Sequence, residues 1–159
     1  MTEVVIVYGG ELAKDVAEQI KAKSPPSVTV KLQSASERPK KLLEEHATSS
    51  SVFCFVVQTI ENGAPTEEGG TTVRFFKRKT HPEDLLAGKQ FAVLGVGDSN
   101  LLLDRQTTTA KDCNQVAQEL DARLEALGGT RKFELGMADE RSGLKEVEPW
   151  IDGFWKSFA

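Results

Sequence analysis

The residues of this chain that could bind a small ligand stand after three apolar, strand-like runs. Residues 9–12 (GGEL) follow the first run and lead into a segment with helical spacing. Backbone N–H groups at such a strand–glycine–helix turn hold phosphate in doubly wound α/β proteins. Residues 58–66 and 94–100 follow two further runs. Because the carboxyl ends of parallel strands meet at one edge of a sheet, these loops predict a single ligand site.

The first loop lacks the side chains that would assist phosphate binding. Residues 9–23 contain no Ser or Thr, and Glu11 stands near the expected anion. Lys14 could compensate, although a lysine in a first helical turn is also typical of a solvated position. A hydrogen bond to a charged group contributes about 1.5–3 kcal/mol. Losing two or three of them predicts phosphate binding that is weaker by about 10²- to 10⁶-fold, less what the helix N-terminus still supplies.

Strand and helix patterns alternate along all 159 residues, which we interpret as a single domain over residues 1–159. Apolar residues every four positions at Leu12, Val16 and Ile20 predict the first helix. Five strands alternating with five helices predict an α/β fold with a parallel sheet covered on both faces. The expected strands are 1–8, 28–32, 51–57, 91–94 and 130–135, and the expected helices are 13–23, 39–46, 71–79, 109–127 and a last one from 144.

Composition and charge argue against several classes of protein. The net charge of −4 argues against nucleic-acid binding. Cys54 and Cys113 fit small buried side chains in a reducing, cytoplasmic compartment, and no apolar run is long enough to span a membrane. His46 and His81 are isolated, so neither a metal site nor a set of hydrolase catalytic residues is expected. No GxGxxG follows the first strand, which argues against a nicotinamide-binding domain.

Three segments resemble the flavodoxin-like FMN-binding domain of the diflavin reductase family. Residues 91–100 (FAVLGVGDSN) resemble its fourth strand and flavin loop, residues 63–66 (GAPT) its central loop, and residues 134–150 its last strand and acidic loop. Within this family, the sequence most resembles the methionine synthase reductase and microsomal cytochrome reductase members. The resemblance implies a flavodoxin-like three-layer αβα sandwich with five parallel strands in the order 2-1-3-4-5. It also implies that a bound FMN relays electrons from a separate reductase to an acceptor protein.

The same resemblance implies which residues contact FMN; it implies no catalytic residue. Asp98 and Asp139 match acidic positions near the flavin, where a carboxylate opposes charge on the reduced ring and so tunes its potential. The expected cofactor-binding residues are Gly9, Gly10, Glu11, Leu12, Ala13 and Lys14 in the first loop, Thr59, Ile60, Glu61, Asn62 and Gly63 in the second, Gly95, Gly97, Asp98, Asn100, Leu101 and Arg105 in the third, and Asp139 after the last strand.

The chain also departs from the family pattern. The first loop of the family reads Ser/Thr-x-Thr-Gly-x-Thr, whereas residues 9–14 are about two residues shorter and have no hydroxyl. Aliphatic Ile60 and Leu101 or Leu102 stand where the family has aromatic residues. Arg105 and threonines 107–109 could form a replacement anion site, or the threonines could simply cap a helix. The alternative function is therefore a module that binds no FMN and docks a partner protein.

An acidic rim accompanies the loops in either case. Glu61, Glu67 and Glu68 stand in or just after the second loop. Such a rim suits a basic partner protein, and it is equally consistent with a solvated loop.

Overall fold

A computed structural model describes residues 2–46, 51–60, 64–99 and 113–158. The strands are β1 (Thr2–Gly9), β2 (Val28–Ser34), β3 (Val52–Ile60), β4 (Ala64–Pro65), β5 (Gln90–Gly97), β6 (Thr130–Arg131) and β7 (Gly136–Asp139). The helices are α1 (Glu11–Ala22), α2 (Pro39–Glu45), α3 (Glu67–Lys77), α4 (Gln115–Ala126) and α5 (Val147–Lys156).

The parallel sheet follows the order β2-β1-β3-β5, and β6 and β7 both pair with β5 on its other side. Strand β4 adds a short antiparallel pairing to β3. This order confirms the predicted 2-1-3-4-5 arrangement. The prediction of one last strand over residues 130–135 is wrong, because that position is filled by two separate strands. Between them the carbonyl oxygen of Glu134 accepts a hydrogen bond from Trp150 Nε1 of α5 (2.9 Å).

Alternate residues of β1 and β3 pack into two apolar clusters, one on each face of the sheet. Val4, Ile6 and Cys54 pack with α1 and α5, whereas Val5 and Phe53 pack with α2, α3 and α4. This alternation is what a strand covered on both faces requires. Burial raises the pKa of the Cys54 thiol far above its ordinary value, which keeps the thiol protonated. The structure thus has helices on both faces of the sheet, as predicted.

The start of α3 and the ends of β3 and β5, all at the carboxyl edge of the sheet, differ from the predictions. Helix α3 begins at Glu67, four residues before the predicted start, because Thr66 Oγ1 accepts from the Gly69 N–H (3.1 Å) and caps the helix. Strand β5 continues to Gly97, so Gly95 and Gly97 lie in a strand and not in a loop. Strand β3 likewise continues to Ile60. Both strands reach further toward the predicted site than the sequence indicated.

The last two helices begin later than predicted. Helix α4 starts at Gln115, and the predicted residues 109–112 lie outside the described part of the chain. Helix α5 starts at Val147 and not near Leu144, because Leu144 has a φ of +58°, which is not helical. Within the described ranges, no helix combines the length and apolarity needed to cross a membrane.

Candidate functional site

An open pocket of about 570 Å³ lies at the carboxyl edge of the sheet, between the β1–α1 turn and the start of α3. The turn supplies Gly10 and Glu11, and the end of β3 supplies Gln58. The first loop and part of the second therefore meet as predicted. The remaining lining residues are Ser36, Thr66, Glu67 and Glu68.

Gly10 is the N-cap of α1, and its backbone conformation requires glycine. Its φ of +126° is one that other residues rarely adopt. A Cβ atom there would lie 2.4 Å from Gln58 Oε1 and 2.9 Å from Gln58 Cβ. Gln58 Oε1 is buried and has no hydrogen-bond partner in the part of the chain that the structure describes. An unsatisfied acceptor of β3 therefore lies close to the backbone of Gly10.

The N–H group of Gly10 is bound by a carboxylate of the protein itself. It donates to Glu68 Oε1 (2.8 Å), and Ser34 Oγ donates to Glu68 Oε2 (2.6 Å). The positive end of the α1 dipole favours a negative charge at this place. An anion is therefore present where the sequence predicted a phosphate, and α3 supplies it. The sequence alone indicates only an acidic rim at Glu68, because the partner Gly10 is 58 residues away along the chain.

Acidic side chains dominate the pocket. Glu11, Glu67 and Glu68 all line it, and none of the described lining residues is a lysine or arginine. Lys14 is exposed and lies 5.9 Å from the centroid of the Tyr8 ring, which agrees with the solvated alternative. A dianion entering this pocket would face three carboxylates.

The other first-loop residues serve the fold. The Ala13 side chain is fully buried, and Leu12 packs against the cluster between the sheet and α1 and α5. Gly9 lies at the end of β1, where a Cβ atom would come within 2.6 Å of Gly69 Cα. Gly10 and Glu11 are thus the two predicted first-loop residues that line the pocket.

The second loop begins with one structural and one exposed residue. Thr59 is buried, and its Oγ1 accepts from the Val116 N–H (3.2 Å), which joins β3 to the first turn of α4. Ile60 is 39% exposed, the highest value for a large apolar side chain in the described ranges. The predicted contacts Glu61, Asn62 and Gly63 lie outside those ranges. Ile60 therefore supplies an apolar surface next to the second loop.

Asp139 holds the start of the third loop. Its Oδ1 accepts from the N–H groups of Ser99 (3.0 Å) and Arg141 (3.0 Å). Burial acts to raise the pKa of Asp139, but the hydrogen bonds from Ser99 and Arg141 outweigh it, and the pKa lies below its ordinary value. The ionised carboxylate thereby ties the end of β5 to the end of β7. Asp98, the residue before Ser99, is half-buried.

The remainder of the third loop is not described. Asn100, Leu101 and Arg105 lie outside the described ranges, as do threonines 107–109. The two glycines before the loop are covered by α4 and the residues that precede it. A Cβ atom on Gly95 would lie 2.5 Å from Ala117 Cβ, and a Cβ atom on Gly97 would lie 2.2 Å from the carbonyl oxygen of Cys113. Contact of all these residues with a cofactor stays a prediction.

The comparisons with known proteins agree with this geometry. The family model described as Flavodoxin matches residues 9–150. Methionine synthase reductase from Bos taurus is 35% identical over 145 residues, which are 90% of this chain and 19% of that protein. NADPH–cytochrome P450 reductase from Musca domestica is 33% identical over 119 residues, which are 74% of this chain and 16% of that protein. The chain thus spans about a fifth of the length of these curated relatives.

A solved structure shows the same fold. A cysteine-to-alanine mutant of flavodoxin from Pseudomonas aeruginosa superposes with a TM-score of 0.71 at 16% identity, over 98% of this chain and 97% of that one. The family match covers all three sheet-edge loops and four of the five helices in full. The chain therefore belongs to the flavodoxin family.

Proposed function

We propose that this chain is an FMN-binding electron-transfer domain that receives electrons from a reductase and passes them to an acceptor protein. The observation that supports this most directly is the anion held by the β1–α1 turn, where Gly10 N–H binds the Glu68 carboxylate. A turn that binds one oxyanion has the donor that another oxyanion can use. Family membership and the names of the diflavin relatives support the same function.

The described residues fit several parts of an FMN molecule. The Glu68 carboxylate stands in for phosphate at the Gly10 N–H. Gln58 Oε1 lacks a donor in the described ranges, and a ribityl hydroxyl is a donor of the right kind. Exposed Ile60 can cover one face of an apolar ring. The phosphate can use the Gly10 donor once the Glu68 carboxylate has moved away.

The residues of this chain would position and shield the cofactor. Bound FMN supplies reversible one-electron chemistry. Asp139 holds the backbone of Ser99 at the start of the third loop, so this loop begins from a fixed point. Glu11 and Glu67 are exposed beside the pocket and give this edge a negative charge. A negative rim steers a positively charged partner protein toward the same edge.

The Glu68 contact also favours a second candidate function. If the carboxylate stays on Gly10, the pocket has no free backbone donor at that place and no cation among its described lining residues. The chain would then be a flavodoxin-fold module that binds a partner protein without flavin.

Absorbance and thermal stability distinguish the two functions. We expect the purified chain, incubated with excess FMN and desalted, to keep a visible flavin band. We also expect FMN to raise the melting temperature, because a ligand that binds the native state stabilises it by about 2.7 kcal/mol at one hundred times its dissociation constant. A colourless protein with an unchanged melting temperature would overturn the FMN proposal in favour of the module.

A further inference from the structure

We propose that Glu68 is an internal competitor for the flavin phosphate and that it sets how strongly the chain distinguishes FMN from riboflavin, the same flavin without phosphate. The inference rests on the proposed FMN function and adds a specificity-determining residue to it. Its basis is the Glu68 carboxylate on the backbone donor at the start of α1.

Both oxygens of this carboxylate are held. Gly10 N–H binds Oε1 at 2.8 Å, and Ser34 Oγ binds Oε2 at 2.6 Å. Ser34 Oγ also lies 2.7 Å from Ser36 Oγ, which helps to orient the hydroxyl. Hydrogen bonds to an ionised acceptor are short and strong, as these are. An incoming phosphate must therefore displace the bond to Oε1 to gain the Gly10 donor, while the bond to Oε2 helps to hold the carboxylate at that place.

The close packing of Gly9 and Gly69 positions Glu68 near Gly10 before any ligand binds. At Gly9 a Cβ atom would lie 2.6 Å from Gly69 Cα, so the start of α3 approaches the end of β1 more closely than larger residues would allow. Thr66 caps the same turn of α3 through Gly69. Since the backbone around Glu68 is already ordered, only the side-chain rotamers of Glu68 remain to be fixed when it binds Gly10.

Glu67 provides a matched control inside the same protein. It precedes Glu68 in the first turn of α3, carries the same charge and lines the same pocket. It is exposed and has no hydrogen bond or ion pair among the described residues. A general charge effect on phosphate binding would act through both side chains, whereas competition for the Gly10 donor is specific to Glu68.

The experiment is a titration of the full chain and its Glu68→Ala and Glu67→Ala variants with FMN and with riboflavin, followed by flavin fluorescence. We expect the unaltered chain to bind the two flavins with affinities within about threefold, because its phosphate donor is occupied. Glu68→Ala should bind FMN about 10- to 100-fold more tightly, as one charge-assisted hydrogen bond is gained. Its riboflavin affinity should change little, and Glu67→Ala should raise FMN affinity by less than about threefold.

An equal rise in FMN affinity for both alanine variants would overturn the competition, since it would reflect charge alone. Equal gains for FMN and riboflavin in Glu68→Ala would also overturn it. If the unaltered chain binds FMN and Glu68→Ala binds it no more tightly, the Glu68 inference fails and the FMN proposal stands. If neither the unaltered chain nor Glu68→Ala binds either flavin, both the Glu68 inference and the FMN proposal fail.

A second readout needs no flavin. In nitrogen-15 NMR spectra of the flavin-free chain, the Gly10 amide proton should move upfield in Glu68→Ala, because it loses its hydrogen bond to a carboxylate. Glu67→Ala should leave that resonance in place. Should Glu68→Ala fold poorly, Glu68→Gln keeps the shape and removes the charge, and we expect a smaller gain in FMN affinity. No gain in a folded Glu68→Gln and no shift of the Gly10 amide would contradict the proposal.

Discussion

Asp139 and Glu68 are two carboxylates that bind backbone N–H groups at the carboxyl edge of the sheet. Asp139 accepts from Ser99 and Arg141 and joins the ends of β5 and β7. Glu68 accepts from Gly10 and joins α3 to the start of α1. The same chemistry, a carboxylate on an N–H donor, thus joins two strand ends at one place and two helix starts at the other.

Asp139→Asn should lower the free energy of unfolding by about 1–2 kcal/mol at pH 7, because a neutral acceptor binds two N–H groups less strongly than a charged one. The pKa of Asp139 is lowered in the folded state. Its charge therefore stabilises the fold above the unfolded-state pKa of about 3.9, and this contribution is lost as the pH falls through the folded-state pKa. Urea denaturation of both proteins at several pH values between about 7 and 3 measures the difference.

The difference between Asp139→Asn and the unaltered chain should narrow toward acidic pH. Glu140→Gln is the control, because Glu140 is the exposed neighbour of Asp139. We expect it to change the unfolding free energy by less than about 0.5 kcal/mol throughout. A stability difference for Asp139→Asn that stays constant down to about pH 3 would contradict a role of the charge.

At the scale of elements, β5 and α4 meet through two glycines. Gly95 and Gly97 lie in β5, and Cβ atoms there would come within 2.5 Å of Ala117 Cβ and 2.2 Å of the carbonyl oxygen of Cys113. Asn114 Nδ2 donates to the carbonyl oxygen of Ala138 in β7 (3.0 Å), which fixes the start of α4 above the sheet. The two glycines therefore permit a close helix–strand contact.

Gly97→Ala should lower the free energy of unfolding by about 1–3 kcal/mol or more, because the methyl group meets a backbone oxygen that cannot move independently. Thermal and urea denaturation measure the loss. Gly70→Ala in α3 is the matched control, since its Cβ atom would meet only the flexible end of Arg74 (2.5 Å from Nη1). Helix propensity favours alanine there by up to about 1 kcal/mol, so equal destabilisation by both variants would refute the close-contact argument.

At the scale of the whole molecule, the first and last helices of the described chain close one face of the sheet together. Trp155 Nε1 of α5 donates to the carbonyl oxygen of Ile20 in α1 (2.9 Å), and this bond is buried. Lys23 beyond the end of α1 also pairs with Glu148 (3.3 Å) and Asp152 (3.8 Å) of α5. The two kinds of contact differ in solvent exposure: the indole hydrogen bond is buried, and the ion pairs are exposed.

Trp155→Phe should cost about 1–3 kcal/mol of stability, because it removes a buried hydrogen bond and leaves a smaller ring. Lys23→Ala removes only exposed charge pairs between the same two helices and should cost less than about 1 kcal/mol. Denaturation followed by circular dichroism compares the two variants. A larger loss in Lys23→Ala than in Trp155→Phe would show that the exposed charges, and not the buried ring, hold α5 on α1.

The elements were predictable where local pattern determines them. The every-fourth-residue spacing at Val16 and Ile20 predicted α1, and the apolar run of β3 predicted a strand covered on both faces. The sequence predicts the start of α3 too late, because Gly69 and Gly70 resemble a loop and are helical once Thr66 caps the turn. The sequence also does not indicate that the last strand is split into β6 and β7. The hydrogen bond at Glu134, between these two strands, comes from Trp150 of α5, which is another element.

By itself, the sequence determined the alternation of strands and helices, the apolar face of the first helix and the placing of three loops at one sheet edge, because residue period and turn residues are local properties. Only the tertiary structure decided which group binds the Gly10 N–H. Glu68 is 58 residues away along the chain, and its carboxylate reaches Gly10 because Gly9 and Gly69 let two backbones approach. A hydrogen bond between distant elements depends on how they pack, and neither segment encodes that packing alone.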